Sequence, residues 1–316
     1  MSKVKSYLSL IKFSHTIFAM PFALIGFVLG VQGSRPLIGC FGASDPIAGS
    51  VWKVDVNDRS VIILNWEIMT LKLALVVTCM IFARSAAMAF NRYLDRHFDA
   101  KNPRTAIREI PAGIISAKNA LLFTIVSCIL FIVSTFFINR ICFYLSPVAL
   151  AVVLGYSYTK RFTALCHLIL GIGLSLAPIG AYLAVTGRFD WLPLLFSFAV
   201  ICWVSGFDII YALQDEEFDR SQQLYSMPVF LGKAKALRFS ELLHVCSAAF
   251  VIYAGWYGNF NWLYWIGVVI FTGMLIYQHS IVKPTDLRRV NIAFMTANGI
   301  ASVVFSAFVI GDIFIL

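Results

Sequence analysis

Charge is scarce in this sequence. Asp, Glu, Lys and Arg make up 13% of its 316 residues, against about 25% in an average soluble domain. Cysteine pattern is missing too. Cys40, Cys79, Cys128, Cys142, Cys166, Cys202 and Cys246 are scattered, odd in number and mostly inside apolar runs, with no CxxC. That excludes a disulfide framework and a zinc site and leaves small core residues. There is no glycine-rich phosphate loop, no Ser/His/Asp or Cys/His arrangement and no low-complexity tract. What abounds is apolar surface: 60% hydrophobic residues, 28 Phe and a mean hydropathy of +0.83. A water-soluble globule has no interior large enough to hide it. A soluble enzyme, a disordered tail and a secreted module are excluded.

Apolar runs of about 20 residues recur along the chain, which is the pattern of a polytopic helical membrane protein. A transmembrane barrel would show short alternating segments instead. The fold class expected is all-α integral membrane, with about nine spans at roughly 13–32, 67–90, 118–138, 141–158, 163–186, 190–213, 236–256, 260–281 and 291–315. No small-residue cleavage site follows the first run, so it reads as a retained helix. One membrane domain, 1–316, fills the chain. Lys and Arg fix the expected orientation. With the N-terminus inside, about eighteen of them fall in inside segments and about five (Arg35, Lys53, Arg59, Arg140, Arg188) outside. The C-terminus is then outside, and the net charge of +9 belongs to headgroup contacts on the inside of a bacterial inner membrane, not to nucleic acid. Outside, only 33–66 is long, with turn chemistry and no catalytic pattern. Inside, 91–117 and 214–235 are long and heavily charged.

Polar residues at a membrane are expensive, so chemistry is sought in those two segments. The first holds Asn91, Asp95 and Asp99, at i, i+4 and i+8, which a helix stacks on one face. The second holds Asp208, Asp215 and Asp219, at i, i+7 and i+11, again one helical face. Two acidic faces at the same depth repel unless something positive lies between them. Hard oxygen donors without His or Cys suit Mg²⁺, which is usually held by one or two carboxylates, waters and substrate phosphates. Paired acidic faces therefore point to a diphosphate clamped through magnesium. The motifs lie about 115–120 residues apart, each followed by a basic loop, which hints at a repeated helix hairpin around one pocket.

Arg84 lies seven residues before Asn91, two turns deeper on roughly the same face, where an Arg needs an acidic partner or a ligand. Lys160 and Arg161 follow the turn Tyr156-Ser157-Tyr158. Tyr93, Tyr156, Tyr158 and Tyr211 lie near the motifs and offer ring faces to a developing cation. His97 points off the Asn91 face, His15 sits near the start of the first span, and His167, His244 and His279 read as isolated residues without a functional role.

The stretch NRYLDRHFDAKNPRTAIREIPAG resembles the first signature of the UbiA superfamily of intramembrane aromatic prenyltransferases. DIIYALQDEEFD resembles its second motif, and TKRFT after a tyrosine-rich turn is similar as well. The resemblance covers nearly the whole chain. It implies nine transmembrane helices around a central cavity capped on the cytoplasmic side, and transfer of a polyprenyl chain from its diphosphate to a small aromatic acid in the bilayer. It further implies Asp95, Asp99, Asp215 and Asp219 as catalytic acids. Asn91, Asp95, Asp99, Asp208, Asp215 and Asp219 would be Mg²⁺ ligands, and Asn91, Arg84, Lys160, Arg161, Asp208, Tyr156 and Tyr211 substrate contacts. The sequence departs from the family's 4-hydroxybenzoate branch after the second motif, where it reads Leu224-Tyr225-Ser226-Met227-Pro228. The acceptor stays open among 4-hydroxybenzoate, a naphthoate and a futalosine-pathway acid. A secondary transporter with buried acids is the alternative of a different class, although its acids would belong at the midplane.

Overall fold

Apolar runs become helices here because a backbone in hydrocarbon must satisfy its own hydrogen bonds. The structure, a computed structural model, describes residues 3–11, 18–33, 51–56, 59–64 and 66–315. A short α1 (Lys3–Leu10) is followed by α2 (Met20–Gly33). Then come α3 (Trp66–Lys101), α4 (Ala117–Ile138), α5 (Arg140–Thr159), α6 (Cys166–Thr186) and α7 (Trp191–Ala212). After a 3₁₀ turn at Leu213–Asp215 the chain forms α8 (Glu216–Ser221), α9 (Met227–Leu231), α10 (Lys233–Tyr257) and α11 (Trp262–Ile281). A π-helical turn at Ile292–Ala297 leads into α12 (Asn298–Ile315). Eight of the described helices are long and apolar enough to cross a membrane, and α2 is a shorter apolar helix. The nine expected spans map onto these. The start of the first span, with His15, lies outside the described residues, as does Cys40.

The long 33–66 connection holds an element that hydropathy did not foretell. β1 (Val51–Val56) and β2 (Arg59–Leu64) pair antiparallel, with Val51 opposite Leu64 and Val56 opposite Arg59.

Polar side chains set the helix boundaries. Ser116 and Asp190 cap α4 and α7 by accepting from the Asn119 and Trp191 backbone N–H groups. Asn139 accepts from Cys142 N–H at 2.9 Å to start α5, and donates to the Leu183 carbonyl at 2.8 Å. It therefore ties the α4–α5 corner to α6. Asp312 on α12 accepts from the Asn261 and Tyr264 N–H groups at 2.8 and 3.1 Å and caps α11 from a neighbouring helix. The α2–α6 crossing is close because of Gly26, where an added Cβ would lie 2.0 Å from the Pro178 carbonyl oxygen. Small residues let helices approach in this way where lipid supplies no hydrophobic drive.

The main core joins α2, α7, α11 and α12 through Phe22, Phe196, Trp203, Tyr264, Phe271 and Phe305. At its centre Asn298 accepts from Trp203 Nε1 and Gln278 Nε2, both at 2.8 Å. Its amide nitrogen donates to the Ala293 and Phe294 carbonyls at 3.1 and 3.0 Å. Those carbonyls belong to the π turn, whose wider winding frees acceptors. Asn298 thus fixes the turn that carries Phe294. Asn298→Leu should strand two buried donors and lower stability by about 1–3 kcal/mol, read as a fall in Tm of the detergent-solubilised protein. An unchanged Tm would refute this role.

Candidate active site

The second half of α3 runs on past its apolar segment, so the first motif is helical as its spacing requires. Asn91 Nδ2 donates to Asp95 Oδ2 at 3.2 Å, one turn along. The second motif is not one continuous helix. Helix α7 ends at Ala212, and the 3₁₀ turn redirects the chain before Asp215. Asp208 therefore stands on α7 while Asp215 and Asp219 lie at and beyond the turn, so the i, i+7, i+11 spacing does not run along one continuous helix although all three line one cavity. The physical reason is that a 3₁₀ turn winds three residues per turn and breaks the 3.6 register.

Four of the five acids are matched by cations from other segments. Arg161, just past α5, donates to Asp95 Oδ1 at 3.2 Å and to the Leu94 carbonyl at 3.0 Å. Its guanidinium lies over the Tyr158 and Phe98 rings at 5.5 and 5.6 Å. Arg108 donates to Asp99 Oδ1 at 2.6 Å, with buried Arg92 4.0 Å from Oδ2 of the same carboxylate. Arg104 holds Asp215 with two prongs, one Nε–Oδ1 bond of 3.1 Å and one from Nη2 to Oδ2. Arg104 Nη1 also donates to Tyr211 Oη at 2.9 Å. Lys160 Nζ lies 2.7 Å from Asp219 Oδ1, and the Asp219 side chain is 1% exposed. Burial acts to lower the Lys160 pKa, but the Asp219 carboxylate more than offsets it and holds the ammonium above its ordinary value. Asp208 differs: its Oδ2 accepts from a histidine, His167 Nδ1, at 2.7 Å.

All these groups line one cavity of about 280 Å³ at one end of the bundle. Asp95, Asp99, Asp208, Asp215 and Asp219 face Arg84, Arg92, Arg104, Arg108, Lys160 and Arg161 there. Asn91, Tyr156 and Tyr211 complete the wall, so every sequence-predicted site residue is brought together. The donor set fits Mg²⁺, since all candidate ligands are hard oxygens. Asp99 Oδ2 and Asp219 Oδ2 are buried with no hydrogen-bond partner among the described residues, so each retains acceptor capacity. No cluster of three metal-binding side chains occurs among the described residues, so an ion here would draw further ligands from phosphate and water.

The model of the UbiA prenyltransferase family matches residues 61–300. The chain belongs to the UbiA prenyltransferase family. It is 29% identical over 235 residues to 4-hydroxybenzoate octaprenyltransferase of Tolumonas auensis, covering 74% of this chain and 82% of the relative. It is 30% identical over 222 residues to the Francisella tularensis subsp. novicida protein of the same name, covering 70% and 78%. Among solved structures, a UbiA homologue from Aeropyrum pernix superposes with a TM-score of 0.76 at 28% identity, over 94% of this chain and 98% of that one. A homologue from Archaeoglobus fulgidus, solved with DMAPP and Mg²⁺, gives 0.68 over 98% and 100%; at 20% identity it shows the fold alone. The protein is thus an integral membrane prenyltransferase of the UbiA family.

A second cavity of about 380 Å³ adjoins the first, sharing Arg84, Met88, Tyr156, Leu170 and Leu174 in its wall. It runs between α3, α4, α5 and α6 and is lined almost wholly by carbon. Gly173 and Gly180, seven residues apart on α6, line it, and a Cβ added at either would meet nothing within 4 Å. The two glycines keep a groove open that side chains would fill.

Sequence reasoning missed several of these groups. Arg104 and Arg108 lie in the basic stretch after the first motif, but their pairing with Asp215 and Asp99 depends on how that stretch folds back. His167 read as isolated and is instead part of the cavity, because α6 delivers it beside Asp208; nothing in its neighbours signals this. His244 and His279 also read as isolated, yet they bond each other at 2.9 Å between α10 and α11.

The Lys160–Asp219 pair joins the end of α5 to α8. Lys160→Met, Asp219→Asn and the double variant should show a coupling of about 0.5–3 kcal/mol in a double-mutant cycle on thermal unfolding. Strict additivity would mean the pair carries no stability.

Proposed function

We propose that this protein transfers a polyprenyl chain from its diphosphate to the ring of a small hydroxyaromatic acid of the 4-hydroxybenzoate type, in quinone biosynthesis. The observation that carries the reading is the junction of the two cavities. A charge-rich cavity adjoining a carbon-lined groove matches a donor with a diphosphate head and a hydrocarbon tail. The names of the 4-hydroxybenzoate octaprenyltransferase relatives support the acceptor class. The concentration of Lys and Arg near the charged cavity supports a cytoplasmic site in a bacterial inner membrane, with the N-terminus inside and the C-terminus outside.

Asn91, Asp95, Asp99, Asp215 and Asp219 would hold Mg²⁺. When bound, it supplies Lewis-acid stabilisation of charge on the leaving diphosphate, worth several kcal/mol. The cations then act without rearranging far. Arg104, Arg108, Lys160 and Arg161 already converge on the cavity and present N–H groups to phosphate oxygens. Arg supplies planar two-pronged contacts and Lys a point charge. As charge leaves the allylic carbon, the Tyr156 and Tyr211 rings offer π faces, each contact worth about 0.5–2 kcal/mol. The tail lies along the groove past Gly173 and Gly180, and the surrounding carbon excludes the water that would trap a cation.

The test is direct. Purified protein is incubated with a long-chain prenyl diphosphate, 4-hydroxybenzoate and Mg²⁺, and the products are weighed. A prenylated acid is expected, lost on chelation with EDTA and reduced about a hundredfold or more in Asp95→Asn and Asp215→Asn. Wild-type rates in both variants would sink the reading.

The groove makes a separate expectation. Gly180→Leu meets no protein atom at Cβ and replaces a helical glycine, so folding should be kept or improved by about 0.5–1 kcal/mol. Its side chain occupies the groove. Turnover of octaprenyl diphosphate should fall while that of geranyl diphosphate holds. A parallel fall for both donors would place the tail elsewhere.

A further inference from the structure

His167 has a fixed proton arrangement. The Met227 backbone N–H can only donate, and it points at His167 Nε2 at 3.3 Å. Nε2 therefore carries the lone pair, the ring proton sits on Nδ1, and Nδ1–H donates to Asp208 Oδ2 at 2.7 Å. The ring is buried, and Ser205 Oγ donates to the His167 backbone carbonyl at 3.1 Å. So α6, α7 and the start of α9 together hold one imidazole in one tautomer.

The consequence falls on Asp208. A neutral imidazole orients its carboxylate without cancelling its charge, unlike the Arg and Lys partners of the other four acids. Its second oxygen, Oδ1, has no hydrogen-bond partner among the described residues, and the side chain is 24% exposed, lining the charged cavity. The wall around it is apolar. On α7, Val204, Phe207 and Tyr211 line the cavity at i−4, i−1 and i+3 from Asp208. Phe18 and Phe294 close with Phe207 into a three-ring cluster, with centroids 5.4–5.5 Å apart. Tyr211 packs against Phe294 with ring centroids 4.3 Å apart and planes tilted by 35°, and its hydroxyl accepts from Arg104.

We propose that this aromatic corner is the acceptor subsite, in which Asp208, positioned by His167, accepts a hydrogen bond from the ring hydroxyl of the acceptor. The inference rests on the aromatic-acceptor reading above and adds where that ring binds and what it must carry. An anchored anion with a free oxygen selects an O–H donor and repels a carboxylate. The acceptor's own carboxylate therefore points away, toward the cationic side of the cavity. Asp208 thereby leaves the set of metal ligands in which its spacing had placed it. His167 acts through Asp208 and is a positioning residue.

The experiment is ligand binding to the purified full-length protein, with no turnover required. Affinities of 4-hydroxybenzoate and 4-methoxybenzoate are compared by calorimetry; the second lacks the hydroxyl proton. The wild type should prefer the hydroxy compound by roughly tenfold to a hundredfold, the range of one charged hydrogen bond. Asp208→Asn and His167→Leu should bring the two within about twofold. His167→Asn, which keeps an N–H near the Nδ1 position, should restore most of the preference. A merely structural His167 would weaken both ligands alike and leave their ratio unchanged. In steady-state kinetics His167→Asn and His167→Leu should shift the acceptor KM and leave the prenyl diphosphate KM within about twofold. Equal affinities in the wild type, or a preference that survives Asp208→Asn, would overturn the subsite. Selective binding without prenylated product would overturn the catalytic reading and leave the subsite standing.

Discussion

Five carboxylates sharing one end of a helical bundle is the constraint on which this structure depends. At low dielectric, like charges a few ångströms apart cost far more than in water, so each acid needs a partner. The partners come from other segments: Arg161 and Lys160 after α5, Arg104 and Arg108 from the α3–α4 connection, and His167 from α6. Neutralising the acids therefore also fixes the loops. The connection after α3 folds over the cavity because Arg104 and Arg108 are held by Asp215 and Asp99. The segment after α8 is held by Lys160, whose backbone carbonyl accepts from Tyr225 N–H at 2.7 Å.

The same pairing prepares the site for an anionic ligand. A cavity with nearly balanced charge costs less to bury than an acidic one. In the proposed reaction phosphate oxygens would take over the guanidinium and ammonium groups, and the carboxylates so released would hold the divalent ion. Removing one partner alone leaves an uncompensated charge, which is the costly event in a buried pair. Below this charged layer the demands reverse. The α3–α6 groove needs absent side chains, supplied by Gly173 and Gly180, and the α2–α6 crossing needs the small Gly26.

Polar residues deeper in the bundle have a third task. Asn298, Gln278 and Trp203 form a closed hydrogen-bonded set, and it stabilises a π turn that an apolar sequence would regularise. That turn presents Phe294 to the cavity. A neutral polar contact in the bundle core thus helps shape the wall of the charged cavity.

The sequence by itself determined the all-helical membrane fold, because twenty-residue apolar runs have one solution in lipid, and the spans followed within a few residues. It determined the acidic motifs and the neighbouring cations, since ionised residues at a membrane are too costly to be incidental. The family resemblance was legible in Asn91, Asp95 and Asp99 for the same reason. Only the tertiary structure decided what each acid pairs with. Periodicity placed Asp208, Asp215 and Asp219 along one helix, and a single 3₁₀ turn breaks that helix while all three still line one cavity. His167 carried no local signal, because its meaning comes from α7 and α9 arriving on either side of its ring. The β1–β2 hairpin, the Asn298 network and the two open glycines were likewise invisible. Each depends on contacts between segments far apart in sequence, whereas helical periodicity reports only on neighbours within two turns.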